Sequence, residues 1–238
     1  MTELGALWSY LSASPLTWLT ATLVAYLVAS SITRALKQAP IANPVLLSVC
    51  IIAPILALTG TEYPTYFEGA QFIHFLLGPA TVSLAIPLID NWATIRRSVA
   101  PIVLALIMGS VVAVVSVLLL SQALGLSEIL VLSLAPKSTT APVALGVSEA
   151  VGGIPTLTAV FVIVTGIFGA VIVTPLMNLL RIRDWRARGF AVGVAAHGIG
   201  TARAFQVNQT AGAYAGIGMA LNALLTSLIV PFLVRALT

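Results

Sequence analysis

Two short polar runs interrupt apolar stretches of this chain, and each holds residues suited to binding a small anion. The first is Ala135-Pro136-Lys137-Ser138-Thr139-Thr140-Ala141-Pro142. A cation in the middle of a membrane segment costs roughly 2.5–3.5 kcal/mol on insertion scales. Here it is followed directly by Ser138, Thr139 and Thr140, whose hydroxyls can donate to substrate oxygens. Proline lacks a backbone donor and clashes with the preceding turn, so a continuous helix is not expected across this run. A helix resuming at Pro142 would aim the positive end of its dipole back at the break. One ammonium, several hydroxyls and oriented amides together make an anion site. The alternative is that Lys137 snorkels to a headgroup from an ordinary loop.

The second run is His197-Gly198-Ile199-Gly200-Thr201-Ala202-Arg203. Arg203 offers a planar fork that can hold a carboxylate through two parallel bonds. His197 can donate to substrate, or, since imidazole ordinarily titrates near neutral pH, serve in proton coupling. Gly198 and Gly200 permit close approach of backbone to a ligand. The competing reading leaves Arg203 at the interface and His197 as a packed, satisfied ring. Weaker candidates surround these runs. Gly78, Pro79 and Thr81 read either as an opposing half-site or as a kink in a spanning helix. Glu149, on the segment after Pro142, either carries protons or faces water beside Gly152-Gly153. His74, between Phe72 and Phe75, reads as packing, and Asn222 as a bond between helices.

Enzyme chemistry has little to work with. The sequence has no H-E-x-x-H, no cysteine pair, no carboxylate cluster at metal-ligand spacing, no G-x-S-x-G and no P-loop. No metal, cofactor or nucleic-acid partner is therefore expected. Lys137 and Ser138, being adjacent, do not face each other as a base and nucleophile must.

The elements that must position these residues are membrane helices. Of 238 residues, 59% are hydrophobic and 8% charged, and the mean hydropathy is +1.08. Soluble domains average about 25% charged residues, so this chain cannot coat a water-exposed surface. That excludes a soluble enzyme, a nucleic-acid-binding module and a disordered chain. The lipid bilayer is the expected surroundings, and one membrane domain over 1–238 fits the length. Apolar blocks run from Leu16 to Leu36, Pro44 to Leu58, Ala70 to Ile89, Pro101 to Ala123, Ile154 to Leu180 and Thr210 to Val234. Two further stretches, Ser127 to Val151 and Phe190 to Val207, are broken by the polar runs. Freed backbone groups there cannot face lipid and must be buried or line a cavity. Ser14 and Pro15 read as the start of the first helix. No cleavable signal is expected from residues 1–14, and the single Cys50 permits no intrachain disulfide.

Arg34 and Lys37, Arg96 and Arg97, and the Arg181–Arg188 cluster follow apolar blocks, while Thr59 to Gly69 carries only acidic charge. The positive-inside rule then puts the N-terminus outside. The Arg181–Arg188 cluster joins the cytoplasmic set only if 127–151 enters and leaves on one side. Leu77-Gly78-Pro79-Ala80-Thr81 and Leu134-Ala135-Pro136-Lys137-Ser138 share a pattern. Either an inverted repeat or chance explains so short a match. Gly212, Gly216 and Ala220 form a small-residue stripe for close packing, within the chain or in a homodimer.

Several of these runs resemble the LrgB family of bacterial membrane proteins, also called CidB-like. The resemblance rests on Phe75-Leu-Leu-Gly-Pro-Ala-Thr81, Pro136-Lys-Ser138, Val147-Ser-Glu149, Gly152-Gly-Ile-Pro155, Leu157-Thr-Ala-Val160 and His197-Gly-Ile-Gly-Thr-Ala-Arg203, in order from about 75 to 205. The family's first break commonly reads Pro-Lys-Ser, aliphatic, Thr, Thr, Pro. Here Thr139 takes the aliphatic place and Ala141 that of the second threonine. The resemblance implies two competing functions. One is an antiholin-like regulator of murein hydrolase export, or a pore component, acting with a small LrgA-like partner. The other is a carrier of small carboxylates, as in the related plant plastid glycolate/glycerate translocator, with pyruvate implied for some bacterial members.

Residue chemistry favours the carrier. A regulator does not require a lysine and hydroxyls in one broken membrane segment and a His-Gly-x-Gly-Thr-x-Arg run in another. The expectation is an all-α, polytopic inner-membrane secondary transporter of about six or more spanning helices plus broken or re-entrant half-helices meeting near the midplane. Lys137 and Arg203 would neutralise a monocarboxylate. Ser138, Thr139, Thr140 and Thr201 would bind its oxygens, and His197 would be the proton-sensitive group.

Overall fold

Prolines mark where several of these helices begin. The computed structural model describes residues 14–39, 42–76, 79, 82–83, 85–90 and 92–237. Among them every regular element is a helix. The chain divides into two compact units after Ala80. The first holds α1 (Pro15–Ala35), α2 (Pro44–Thr59) and α3 (Tyr63–Phe75). Pro15 and Pro44 open α1 and α2, where a missing N–H is no loss. Ser14 stands at the N-cap as its sequence predicts, but it caps through its carbonyl, which accepts from Thr17 N at 3.1 Å, and not through its side chain. Asn43 does cap with its side chain, accepting from Val45 N and Leu46 N at 2.9 and 3.2 Å. Trp18 is buried against Tyr66 in an edge-on pair. His74 sits edge-on to Phe67, the packing role its aromatic neighbours suggested.

The second unit holds α4 (Ala85–Asp90), α5 (Trp92–Arg97), α6 (Val99–Ala123), α7 (Glu128–Leu134), α8 (Ala141–Ala150), α9 (Pro155–Leu179), α10 (Trp185–Val207) and α11 (Gln209–Leu237). With α1, the helices α6, α9 and α11 are long and apolar enough to cross a membrane. Among the described residues, further apolar stretches are the shorter α2 and the two broken segments; the block from Ala70 to Ile89 lies partly outside them.

Hydrophobic contacts fix the directions within this unit. Ile102 and Leu106 of α6 pack with Phe190, Val194, Tyr214 and Ile217, near the starts of α10 and α11. Val114 and Leu118 pack with Val230 and Val234, and Gln122 Nε2 donates to Leu237 O at 2.7 Å. Hence α6 and α11 run parallel. The start of α9 is tied to α7, because Ile154 N donates to Ser133 Oγ (2.8 Å) and Thr158 Oγ1 donates to Ser133 O (2.8 Å). Its end joins the base of α10 through Arg188 and Asn178. So α9 runs the other way.

Both broken segments are hairpins. A Cβ at Gly153 would stand 2.5 Å from Ser148 Oγ and 3.0 Å from Ser133 N, which places the end of α8 beside α7. The chain thus enters and leaves the α7–α8 hairpin at the end where α6 finishes. Within α10, Ala196 (φ −131°, ψ 18°) and His197 (φ 40°, ψ −135°) depart from helical geometry. A Cβ at Gly200 would lie 2.8 Å from Val192 Cγ2, eight residues earlier, a contact impossible along a straight helix. The arm 198–207 therefore folds back on 185–195, and α10 enters and leaves at the end where α6 begins. The hairpins approach from opposite ends of the bundle. This geometry puts Arg96 and Arg97, just before α6, at the same end as Arg181, Arg183, Arg186 and Arg188.

Glycines let the hairpin sit on α11. A Cβ at Gly189 or Gly193 would collide with the backbone of Ala211 or Ala215. Gly212 packs on the Phe205 ring, so the small-residue stripe of α11 is occupied within the chain. A homodimer would need another surface. Gly193→Leu is expected to lower the unfolding temperature of the detergent-solubilised protein by roughly 10 °C, since backbone cannot yield. Gly146→Leu, whose side chain meets open space, should leave the melting curve in place.

Candidate functional site

The tip of the α7–α8 hairpin is built by the residues that made its sequence conspicuous. Thr140 is the N-cap of α8, with extended φ/ψ of −65° and 145°, and Pro142 lies in the helix's first turn. First-turn amides of a helix have no partner within it, and its dipole favours an anion there. Lys137 is half-buried, and its Nζ donates to Ser138 Oγ at 3.3 Å. Thr139 and Thr140 are 1% and 7% exposed, and neither hydroxyl has a hydrogen-bond partner. Leaving a buried polar group unpaired costs about 1–3 kcal/mol. Two such groups lie side by side here, next to an ammonium and a helix N-terminus.

The second tip is held from three sides. His197 is buried, and its Nε2 donates to Val162 O of α9 at 2.9 Å. With the proton on Nε2, Nδ1 of the neutral ring is the acceptor. The ring lies over Gly166, where a Cβ would approach Cε1 to 2.6 Å and Nε2 to 3.0 Å. Gly169 gives the same clearance to Ala196. The residue at positive φ is His197 itself, although Gly198 adjoins it. A non-glycine residue held there costs about 1–3 kcal/mol and persists only where its surroundings enforce it. Thr201 is buried on the returning arm and its Oγ1 donates to His197 O at 2.8 Å.

Asn222, 1% exposed and midway along α11, joins the two tips. Its Nδ2 donates to Ser138 O and to Val194 O, each at 3.1 Å. Its Oδ1 accepts from Ser110 Oγ of α6 at 2.6 Å and from Thr226 Oγ1 at 3.2 Å. Ser110, Val162 and Asn222 all lie well inside their spans, so the tips meet at mid-depth.

The other sequence candidates fall elsewhere. Arg203 lies on the returning arm and lines a small cleft with Val173, Trp185 and Arg188 at the arginine-rich end, and its Nη1 donates to Gln206 Oε1 at 3.4 Å. The hairpin therefore carries Arg203 away from the tip that Lys137 occupies. Gly200 does allow a close approach, but of the returning arm to Val192 and Ala196; Gly198 makes only an ordinary contact with Met219. Glu149 is exposed near the far end of α8, about 12 Å along the helix from its start. Pro79 is exposed, in the first unit; Gly78 and Thr81 lie outside the described residues. The polar run opposing 135–140 is thus the one at His197.

At the arginine-rich end, Asp184 caps α10 by accepting from Arg186 N at 2.8 Å. The Arg186 side chain hydrogen-bonded to it holds the Asp184 carboxyl down to about 2, so the cap is ionised at neutral pH. Between α6 and the first arm of α10 lies a largely apolar cavity of about 510 Å³, running from Asp184 and Arg186 to Ala113 and Ala195. Asn222 and Gly166 were missed as site residues by sequence reasoning. A lone amide in a small-residue span was the signal for Asn222, whereas nothing local distinguishes Gly166 from Gly169.

The chain matches the LrgB-like family over residues 22–236. It is 35% identical over 191 residues to the Bacillus subtilis (strain 168) protein YwbG, covering 80% of this chain and 85% of YwbG. It is 32% identical over 213 residues to a Staphylococcus epidermidis protein named holin-like protein CidB, covering 90% of this chain and 93% of the relative. With the Staphylococcus aureus protein of that name it shares 32% identity over 195 residues, 82% of this chain and 85% of the relative. No solved structure matches it.

Proposed function

The chain belongs to the LrgB-like family of membrane proteins, and on that premise we propose that it is a secondary carrier of small monocarboxylates of the pyruvate, glycolate or glycerate class. One observation supports this most. The Thr139 and Thr140 hydroxyls are buried without partners beside the Lys137 ammonium, at the head of α8. A carboxylate bound by Lys137 and the α8 amides would leave its 2-oxo or 2-hydroxy oxygen for those hydroxyls. His197 is the proton-coupling group, taking a proton at Nδ1 while Nε2–H stays on Val162 O. Arg203, with the arginine-rich end, gathers the anion before it reaches the tip. Glu149 would serve protons at the opposite mouth. Hairpins entering from opposite ends suit alternating access, one tip shielding the substrate while the other opens.

By the positive-inside rule the arginine-rich end faces the cytoplasm, and Arg34 and Lys37 after α1 put the N-terminus outside. The setting is the bacterial inner membrane. The names of the relatives favour a second reading, a pore component acting with an LrgA-like subunit. Uptake of labelled pyruvate and glycolate into proteoliposomes, with and without a pH gradient, separates the two. A carrier saturates and responds to the gradient. A pore gives flux proportional to concentration, and a regulator gives none.

The unpartnered hydroxyls make a prediction with opposite signs in two assays. Thr139→Val removes a buried unsatisfied group at nearly constant volume, so the empty protein should melt a few degrees higher, about 2–4 °C. The same change should raise the KM for uptake roughly tenfold, because the substrate loses a donor. A fall in melting temperature with unchanged KM would show that the hydroxyl has a structural partner instead.

A further inference from the structure

We infer that Asn222 is a positioning residue that holds the two hairpin tips in register by donating one amide hydrogen to each. The carbonyls it serves are the ones the breaks leave behind. In an unbroken α10 the Val194 carbonyl would accept from residue 198, but the reversal at Ala196–His197 lies between them. The Ser138 carbonyl belongs to the turn between α7 and α8. At mid-depth neither can turn to water, so each needs a donor from the protein. Asn222 Nδ2 reaches both at 3.1 Å. The Oδ1 is fixed by Ser110 and Thr226, which leaves the NH2 group no freedom to flip. All of the side chain's bonding capacity at these four contacts is used, and the donors and acceptors are sorted by side.

This arrangement has a mechanical consequence. The hairpins enter from opposite ends, so any motion that opens one tip and keeps the other closed must break one of the two Nδ2 bonds and keep the other. Asn222 is then the point at which the tips sense each other. Gly216, Gly218, Ala220 and Ala223 around it are buried and small, which lets both tips come within reach of one short side chain. Ser110 and Thr226 orient the amide but touch neither tip through it.

Backbone hydrogen exchange on the full chain in nanodiscs tests this without reference to transport. Asn222→Asp keeps size and acceptor but turns a second oxygen on the two carbonyls; Asn222→Leu removes both donors. Each is expected to speed exchange roughly tenfold at both 135–140 and 196–200, with α6, α9 and α11 unchanged. Ser116→Ala, on the exposed face of α6 where the hydroxyl bonds only to Ala113 O of its own helix, should leave both tips at the wild-type rate. Exchange unaltered at either tip in a folded Asn222 variant overturns the inference, and so does equal acceleration across the spanning helices. The transport arm rests on the carrier reading. There Asn222→Asp should lower the maximal uptake rate roughly tenfold and move KM less than about threefold. Equal losses in Ser116→Ala would contradict it. If the wild-type chain shows no uptake while both tips respond as stated, the carrier reading fails and the positioning role stands.

Discussion

Lys137→Ala should abolish carboxylate uptake, with a loss of roughly two orders of magnitude or more in the rate at low substrate. The ammonium is half-buried and hydrogen-bonds only weakly, to Ser138 Oγ at 3.3 Å. Little of the native packing therefore depends on it. A variant that keeps the folded yield and the melting temperature while losing uptake would locate the function of Lys137 in the substrate and not in the fold. Lys137→Arg is the sharper comparison. It keeps the charge but replaces a compact ammonium with a bulkier planar fork beside Ser138. Partial uptake with altered preference between pyruvate and glycolate is expected. Normal uptake by both variants would remove the anion site from the account.

Gly166→Val should be nearly as severe, from a residue that touches no substrate. The first carbon of any side chain at 166 would meet the His197 ring at 2.6 Å, and valine's branches would penetrate further. The ring must move, and the bond from Nε2 to Val162 O is lost with it. Because His197 is held at φ 40° only by its surroundings, the tip is expected to relax once that bond goes. Uptake should fall at least roughly tenfold, and tip exchange at 196–200 should rise. Gly146→Val, in open space on α8, is the matched control. An unchanged pH profile and rate in Gly166→Val would mean that the position of His197 does not matter.

Much of this arrangement was legible before any coordinates. The bracketing prolines of 136–142 mark where α7 stops and α8 starts, because proline's chemistry acts locally. The long spans α6 and α9 follow from unbroken apolar runs. The reversal in α10 was harder. An apolar stretch of about 18 residues fits a crossing helix and a half-depth hairpin equally well. Only the approach of Gly200 to Val192, a contact between arms, separates them. That same reversal moves Arg203 toward Arg188 and away from Lys137, so assigning both cations to one carboxylate was a reading of residue type without direction. Asn222 shows the reverse error. Its residue type suggested a helix-to-helix bond, which it makes, but not that two of its partners are the orphaned carbonyls of the breaks. Knowing the hairpins also settles the arginine count: with 127–151 entering and leaving at one end, Arg96, Arg97 and the Arg181–Arg188 cluster share the other.

Counterflow addresses carriage by alternating access most directly. Proteoliposomes holding this chain alone are loaded with unlabelled pyruvate and diluted into a trace of labelled pyruvate. A carrier that exposes Lys137 to one side at a time must accumulate label transiently above its equilibrium level, and Lys137→Ala vesicles must not. Label that rises smoothly to equilibrium, equally in both preparations, would contradict the carrier account and favour an open pore.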